Sequence, residues 1–246
     1  MTEDRSVLTR SAPPPDSVVS YGTAPEHVAD VRAGDERASS RPLLVVIHGG
    51  FWRPTIDRAH TGPMSAALAA AGWTVASIEY RRIPGAPDLT VQDVALALKT
   101  LPGQVSRHDG RVVVVGHSAG GHLALWAAAA TRTPPLHAAL ALSPAADLQF
   151  AQARNLGDGA AMAFLGADAR SRPDLDPARM PAPEVGVTII HGDADEVVPV
   201  ELSESYVAAQ PQTRLVKLRA TGHFAVIDPL SEVWPTVLSE LERLVG

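Results

Sequence analysis

The stretch Val112-Val113-Val114-Val115-Gly116-His117-Ser118-Ala119-Gly120-Gly121 sets an apolar run directly against a serine framed by glycines. Four consecutive valines read as a strand buried on both faces. The residues beyond, through Ala130, read as a helix. Where a strand doubles back sharply into a helix, the positions two before and two after the central residue lie so close to backbone that a Cβ clashes, and Gly116 and Gly120 fit there. This is the spacing of a nucleophile elbow, which thrusts Ser118 out of the top of a sheet. Ala119 opens the following helix, so its N–H is one of the unpaired donors of a helix start and is expected beside the serine oxygen.

A second glycine segment, His48-Gly49-Gly50-Phe51-Trp52, follows the apolar strand Leu43-Leu44-Val45-Val46-Ile47. Stabilising an oxyanion takes at least two donors aimed at one point, and a glycine pair lets a loop backbone approach closely enough to supply them. The N–H groups of Gly50 and Phe51 are the expected donors, opposite Ala119. A serine hydroxyl is a weak nucleophile at neutral pH and needs a base, itself oriented by a carboxylate. His223, in Thr221-Gly222-His223-Phe224 between the strand Arg214–Leu218 and the C-terminal helix, is the expected base. The carboxylate lies in His191-Gly192-Asp193-Ala194-Asp195-Glu196, after the strand 187–190. Asp195, further past the strand end, is placed to turn inward, whereas Asp193 is placed to brace the turn.

The chain has nine histidines. His48 and His191 end strands and are expected to brace loops, and His117 and His122 to pack or line the pocket edge. His27, His60, His108 and His137 carry no chemical signal. No pair has zinc-helix spacing and there is no cysteine, so neither a metal site nor a cofactor is expected.

These motifs resemble the α/β-hydrolases, and His48-Gly49-Gly50-Phe51-Trp52 with Gly116-His117-Ser118-Ala119-Gly120-Gly121 is similar to the esterase/lipase branch that includes kynurenine formamidase (arylformamidase) and small carboxylesterases. The aromatic and tryptophan after the glycines differ from the H-G-G-G of hormone-sensitive-lipase relatives. His191-Gly192-x-x-Asp195-x-x-Val198-Pro199 and Gly222-His223-Phe224 also look like the family's acid and base segments, and the likeness runs from about Leu43 to the C-terminus. It implies a serine hydrolase working through Ser118, Asp195 and His223 by an acyl-enzyme. The expected activity is that of a carboxylesterase. An arylformamidase is the alternative, and a non-catalytic binding protein of the same fold comes third.

At 246 residues and 46% hydrophobic content the chain can cover both faces of one sheet. Strand and helix signals alternate, predicting a mostly parallel sheet with right-handed crossovers and a site at the strands' carboxyl ends. An antiparallel edge strand is expected at 27–32, strands at 74–79 and 137–142, and helices at 64–71 and near the C-terminus. A further helix is expected to start with a Thr90–Asp93 capping box. Residues 1–25, with Pro13-Pro14-Pro15, read as a loose arm, and 26–246 as a single domain. The interval 143–186 is too long for a plain connection and reads as a small cap, with a helical segment near 160–165. Trp52, Phe150 and Phe164, with Phe51 and Met162, are the expected substrate-pocket side chains, though packing of the cap onto the body accounts for each equally well. Tyr80-Arg81-Arg82 offers a cation for a carboxylate-bearing substrate, or an ordinary solvated loop. The net charge of −6 argues against a nucleic-acid partner or anionic lipid, and no run has the length of a membrane span. The expected partner is a small ester or amide substrate, with a homodimer allowed for and a cytoplasmic setting suited to a cysteine-free chain.

Overall fold

Odd and even residues of the central strands enter different cores, because side chains alternate across a pleated strand. Leu43, Val45, Ile47, Val112 and Val114 pack on one face, and Leu44, Val46, Val113 and Val115 on the other. The computed structural model describes residues 3–130 and 136–246; Met1 and Thr2, the first residues of the expected arm, lie outside them. The strands are β1 (Ser17–Ser20), β2 (Val28–Arg32), β3 (Leu43–Ile47), β4 (Val75–Ile78), β5 (Val112–His117), β6 (Leu136–Leu142), β7 (Gly186–Gly192) and β8 (Arg214–Leu218). They form one sheet in the order β1-β2-β4-β3-β5-β6-β7-β8. From β4 to β8 every pairing is parallel, and β1 and β2 are antiparallel. The expected α/β architecture is therefore present.

The helices are α1 (Gly62–Ala70), α2 (Pro87–Thr100), α3 (Ala119–Ala130), α4 (Leu148–Ala153), α5 (Leu156–Leu165), α6 (Glu201–Ala209) and α7 (Trp234–Val245). Met64 and Leu68 of α1 and Trp234, Val237 and Leu241 of α7 cover one sheet face. Val94 and Leu98 of α2, Leu123 and Ala127 of α3, and Leu202 and Tyr206 of α6 cover the other. Because β3, β5, β6, β7 and β8 run the same way, the loops that leave them all emerge at one rim. That brings residues 48–57, Ser118, 193–199 and 219–224 together.

Three expectations need correction. The segment read as a loose arm is docked: Ser17–Ser20 pairs with β2, Val7 is only 1% exposed, and Arg10 donates to Asp228 at 3.0 Å. Its polar, proline-rich composition conceals a few anchors. In consequence β2 is not an edge strand; β1 takes the edge. The Thr90–Asp93 capping box is also absent, because α2 starts a turn earlier with Pro87 at its first position. Thr90 Oγ1 instead donates to the Arg81 carbonyl, and buried Asp93 accepts from Arg81 N–H at 2.9 Å and faces His27 Nε2 at 2.8 Å.

Glu79, just past β4, shows how polar groups fasten this rim. Its carboxylate accepts from the Tyr80 and Arg58 N–H groups at 2.9 and 3.2 Å and is paired with Arg82. Burial pushes the carboxyl up, but His48, the Tyr80 N–H and Arg82 outweigh burial and hold it at about 2, against an ordinary 4.5. A carboxyl depressed on folding contributes stability above its unfolded pKa and loses that contribution as pH falls through the folded value. Glu79→Gln is therefore expected to cost on the order of 2–3 kcal/mol at pH 7, the gap closing from about pH 4.5 towards pH 2. Urea unfolding of both proteins across that range measures it; a gap independent of pH contradicts the assignment.

Candidate active site

Ser118 sits at φ 57° between β5 and α3, in the left-handed region that side chains with a Cβ rarely occupy. The flanking glycines make the turn feasible. A Cβ on Gly116 would strike the Gly120 carbonyl, and one on Gly120 would strike the Ile47 and His48 carbonyls of the neighbouring strand. The Ser118 N–H donates to the Leu142 carbonyl at 2.9 Å, which ties the elbow to β6.

Asp195 and His223 meet across the rim. His223 Nδ1 donates to Asp195 Oδ2 at 2.7 Å, while Asp195 Oδ1 accepts from the Val197 and Val198 N–H groups at 2.9 and 2.7 Å. His191 Nε2 donates to the Val198 carbonyl at 2.8 Å and lies 3.3 Å from Asp195 Oδ2. Burial by itself favours the protonated acid. The hydrogen bonds from His191, His223 and Val198 prevail, and hold Asp195 well below the usual carboxylate range. Asp193 instead accepts from the Ala220 N–H at 2.6 Å and braces the turn beside β8.

The loop bearing His223 is fastened from several sides. His117 Nε2 donates to the His223 carbonyl at 3.1 Å, and the two rings lie 4.6 Å apart. Glu3 accepts from the Phe224 N–H at 3.0 Å, and the Ala194 N–H donates to the Thr221 carbonyl at 3.1 Å. Burial, reinforced by the neighbouring His223, drives His117 well below the ordinary histidine range, so it is a neutral brace.

Ser118, His117 and His223 face a cavity of about 540 Å³. Gly50, Phe51, Arg53, Thr55 and Ile56 form one wall, and Gly157, Asp158 and Val197 form another. Gly50, Phe51 and Trp52 have φ of 107°, 52° and 53°, a left-handed succession that turns the backbone sharply away from β3. The Gly50 and Phe51 N–H groups have no protein acceptor among the described residues. Ala119 is the first residue of α3, directly after Ser118. Two neighbouring donors without partners beside a buried hydroxyl suit a developing negative oxygen. Among the described residues, no three His, Asp or Glu side chains converge as metal ligands.

The BD-FAE family model matches residues 29–209, well over half of the chain. The chain belongs to the BD-FAE family. BD-FAE proteins are esterases of the α/β-hydrolase class, in agreement with the resemblance read from the two glycine motifs. The chain is 37% identical over 139 residues to an acetyl-hydrolase of Streptomyces hygroscopicus, across 55% of this chain and 44% of that protein. It is 32% identical over 107 residues to the kynurenine formamidase of Danio rerio, across 43% and 36%. The chain thus spans less than half the length of these curated relatives. Among solved structures, esterase B from Lactobacillus rhamnosis aligns with a TM-score of 0.80 at 20% identity, covering 97% of this chain and 89% of that one. A truncated carbohydrate esterase from gut microbiota aligns at 0.76 and 20%, covering 94% and 99%. At such identities the likeness is one of fold.

The aromatic residues expected in the pocket of this BD-FAE protein lie outside the cavity lining, apart from Phe51. Trp52 stacks on Phe164 at 4.7 Å and meets His122 edge-on at 5.1 Å. Both aromatics are buried, because they bond the 48–57 loop, α3 and α5 into one core. Phe150 is half-buried under the Arg154 guanidinium, and Met162 is 42% exposed. Tyr80-Arg81-Arg82 is structural: Arg81 is bound to Asp93 and Arg82 to Glu79. Gly157 and Asp158 of the expected cap line the cavity, as do His60, for which no chemical role is expected, and Arg5, Leu8, Arg53, Thr55, Ile56, Val197 and Phe224, for which the sequence carries no pocket signal. His60 donates through Nδ1 to the Asp57 carbonyl at 3.0 Å. Burial, with His48 nearby, lowers it to about 4.

Proposed function

We propose that this protein is a serine hydrolase of small esters, with Ser118 as nucleophile, His223 as base and Asp195 as its orienting carboxylate. The observation that carries the reading is the 2.7 Å hydrogen bond between His223 and Asp195, beside a cavity that Ser118 and His223 share. With Nδ1 donating to Asp195, Nε2 is the nitrogen free to take a proton. His223 removes the Ser118 proton as Oγ attacks the ester carbonyl. The Gly50, Phe51 and Ala119 N–H groups hold the resulting oxyanion. His223 then protonates the departing alcohol oxygen as the acyl carbon–oxygen bond breaks. Water, deprotonated by His223, attacks the acyl-enzyme, and the acid leaves as Ser118 regains a proton. Asp195 stays ionised throughout.

The insertion 143–186 acts as the cap, a role supported by Gly157 and Asp158 at the cavity. Carboxylester hydrolysis is the leading activity. Arylformamidase activity is the second reading, favoured by the 32% identity to a kynurenine formamidase. Comparing kcat/KM for p-nitrophenyl acetate with that for N-formylkynurenine decides between them. The ester is expected to be turned over at least about tenfold faster, a difference of about 1.4 kcal/mol in transition-state binding. A ratio in favour of the formamide reverses the order, and no turnover of either by folded protein leaves a binding protein.

A further inference from the structure

Arg5 differs from most arginines of this fold in having no carboxylate. Arg58, Arg81, Arg82, Arg172 and Arg214 are each paired with Asp or Glu. Arg5 has no carboxylate partner among the described residues; its guanidinium rests 5.6 Å from the centre of the Phe224 ring, and it lines the same cavity as Ser118. Phe224 directly follows His223. The base hands its proton to the leaving atom, so the leaving group occupies the side of the cavity where Arg5 lies.

The other charges on the wall do not cancel this one. Arg53 donates to the Gly157 carbonyl at 2.6 Å, and its nearest carboxylate, Asp158, is 3.9 Å away and almost fully exposed. Together Arg53 and Asp158 are close to neutral, and His60 and His117 are uncharged at neutral pH. Among the side chains that line the cavity, Arg5 is therefore the cation without a compensating carboxylate; the nearby carboxylates of Glu3 and Asp195 lie outside the lining and are held by the Phe224 N–H and by His223. The anchors Val7 and Arg10 hold the segment that carries Arg5 in place.

We propose that Arg5 is a specificity residue, and that the site prefers esters whose leaving group bears an anionic substituent such as a carboxylate. This rests on the serine-hydrolase reading above. A carboxylate entering beside Phe224 would gain a guanidinium that already lies over an aromatic face, without first breaking an internal ion pair.

The test compares 4-carboxyphenyl acetate with 4-carbamoylphenyl acetate, a neutral ester of similar shape and leaving-group acidity. The anionic ester is expected to have a kcat/KM about fivefold higher, the size of one partly exposed ion pair, with the difference carried by KM. Arg5→Gln is expected to reduce the ratio to about one and Arg5→Lys to restore part of it. One molar salt, which shortens the screening length to about 3 Å, is expected to erase most of the preference. Thermal melts establish that each variant is folded. A wild-type ratio at or below one, or a ratio unchanged in Arg5→Gln, overturns the proposal. Ser118→Ala separates the two layers: if it still cleaves the neutral ester, the serine-hydrolase reading fails, whereas Ser118-dependent cleavage without anionic preference sinks only the role of Arg5.

Discussion

Ser118→Ala is expected to lower kcat for ester hydrolysis by about a millionfold, down to the residual acceleration that binding and oxyanion donors give without a nucleophile. The loss should be chemical rather than structural. Alanine keeps the Cβ that already occupies the strained φ of 57°, and the N–H bond to the Leu142 carbonyl involves only backbone. The variant's melting temperature should therefore stay near that of the wild type while turnover vanishes. Single-turnover kinetics on a p-nitrophenyl ester measure this. A variant that retains a tenth of the activity would mean that another group attacks the ester.

Asp195→Asn comes next in size, with an expected loss of about 10⁴-fold in kcat. The hydrogen-bond pattern dictates why. Oδ1 of residue 195 must accept from the Val197 and Val198 N–H groups, so an asparagine would orient its carbonyl there and turn its NH₂ towards His223 Nδ1. The imidazole would then have to accept at Nδ1 and carry its proton on Nε2, where it cannot take one from Ser118. Asp193→Asn is the matched control. Its bond to the Ala220 N–H needs only an acceptor, which the amide oxygen supplies, so the expected loss is within about threefold, the scale of a weakened surface hydrogen bond. Similar losses in the two variants would show that the acid is misassigned.

The sheet was legible because Leu43–Ile47 and Val112–Val115 are uninterrupted apolar runs, each followed by glycines whose spacing has a steric meaning. That Ser118, Asp195 and His223 share one rim could be read for the same reason: each follows a recognisable strand, and parallel strands bring their carboxyl ends to one side of the sheet. The walls of the cavity were not legible. Trp52 and Phe164 form a stack between loop and cap, and whether an aromatic packs or lines depends on contacts distant in sequence. Arg5 and Leu8 sit in a polar segment whose docking hangs on Val7 and on an ion pair reaching Asp228, and no periodicity announces such anchors. The same holds for Arg81 and Arg82. The sequence allowed them to be a substrate-facing cation or a solvated loop, and it is the buried carboxylates of Asp93, on α2, and Glu79, past the end of β4, that hold them instead.

Nucleophilic attack by Ser118 within an assembled site is the central claim, and covalent capture tests it most directly. Folded protein treated with a fluorophosphonate should gain the mass of one adduct, and peptide mass spectrometry should map that adduct to Ser118. No adduct should form on Ser118→Ala. A label mapped to any other residue, or folded wild-type protein that remains unlabelled, would contradict the account.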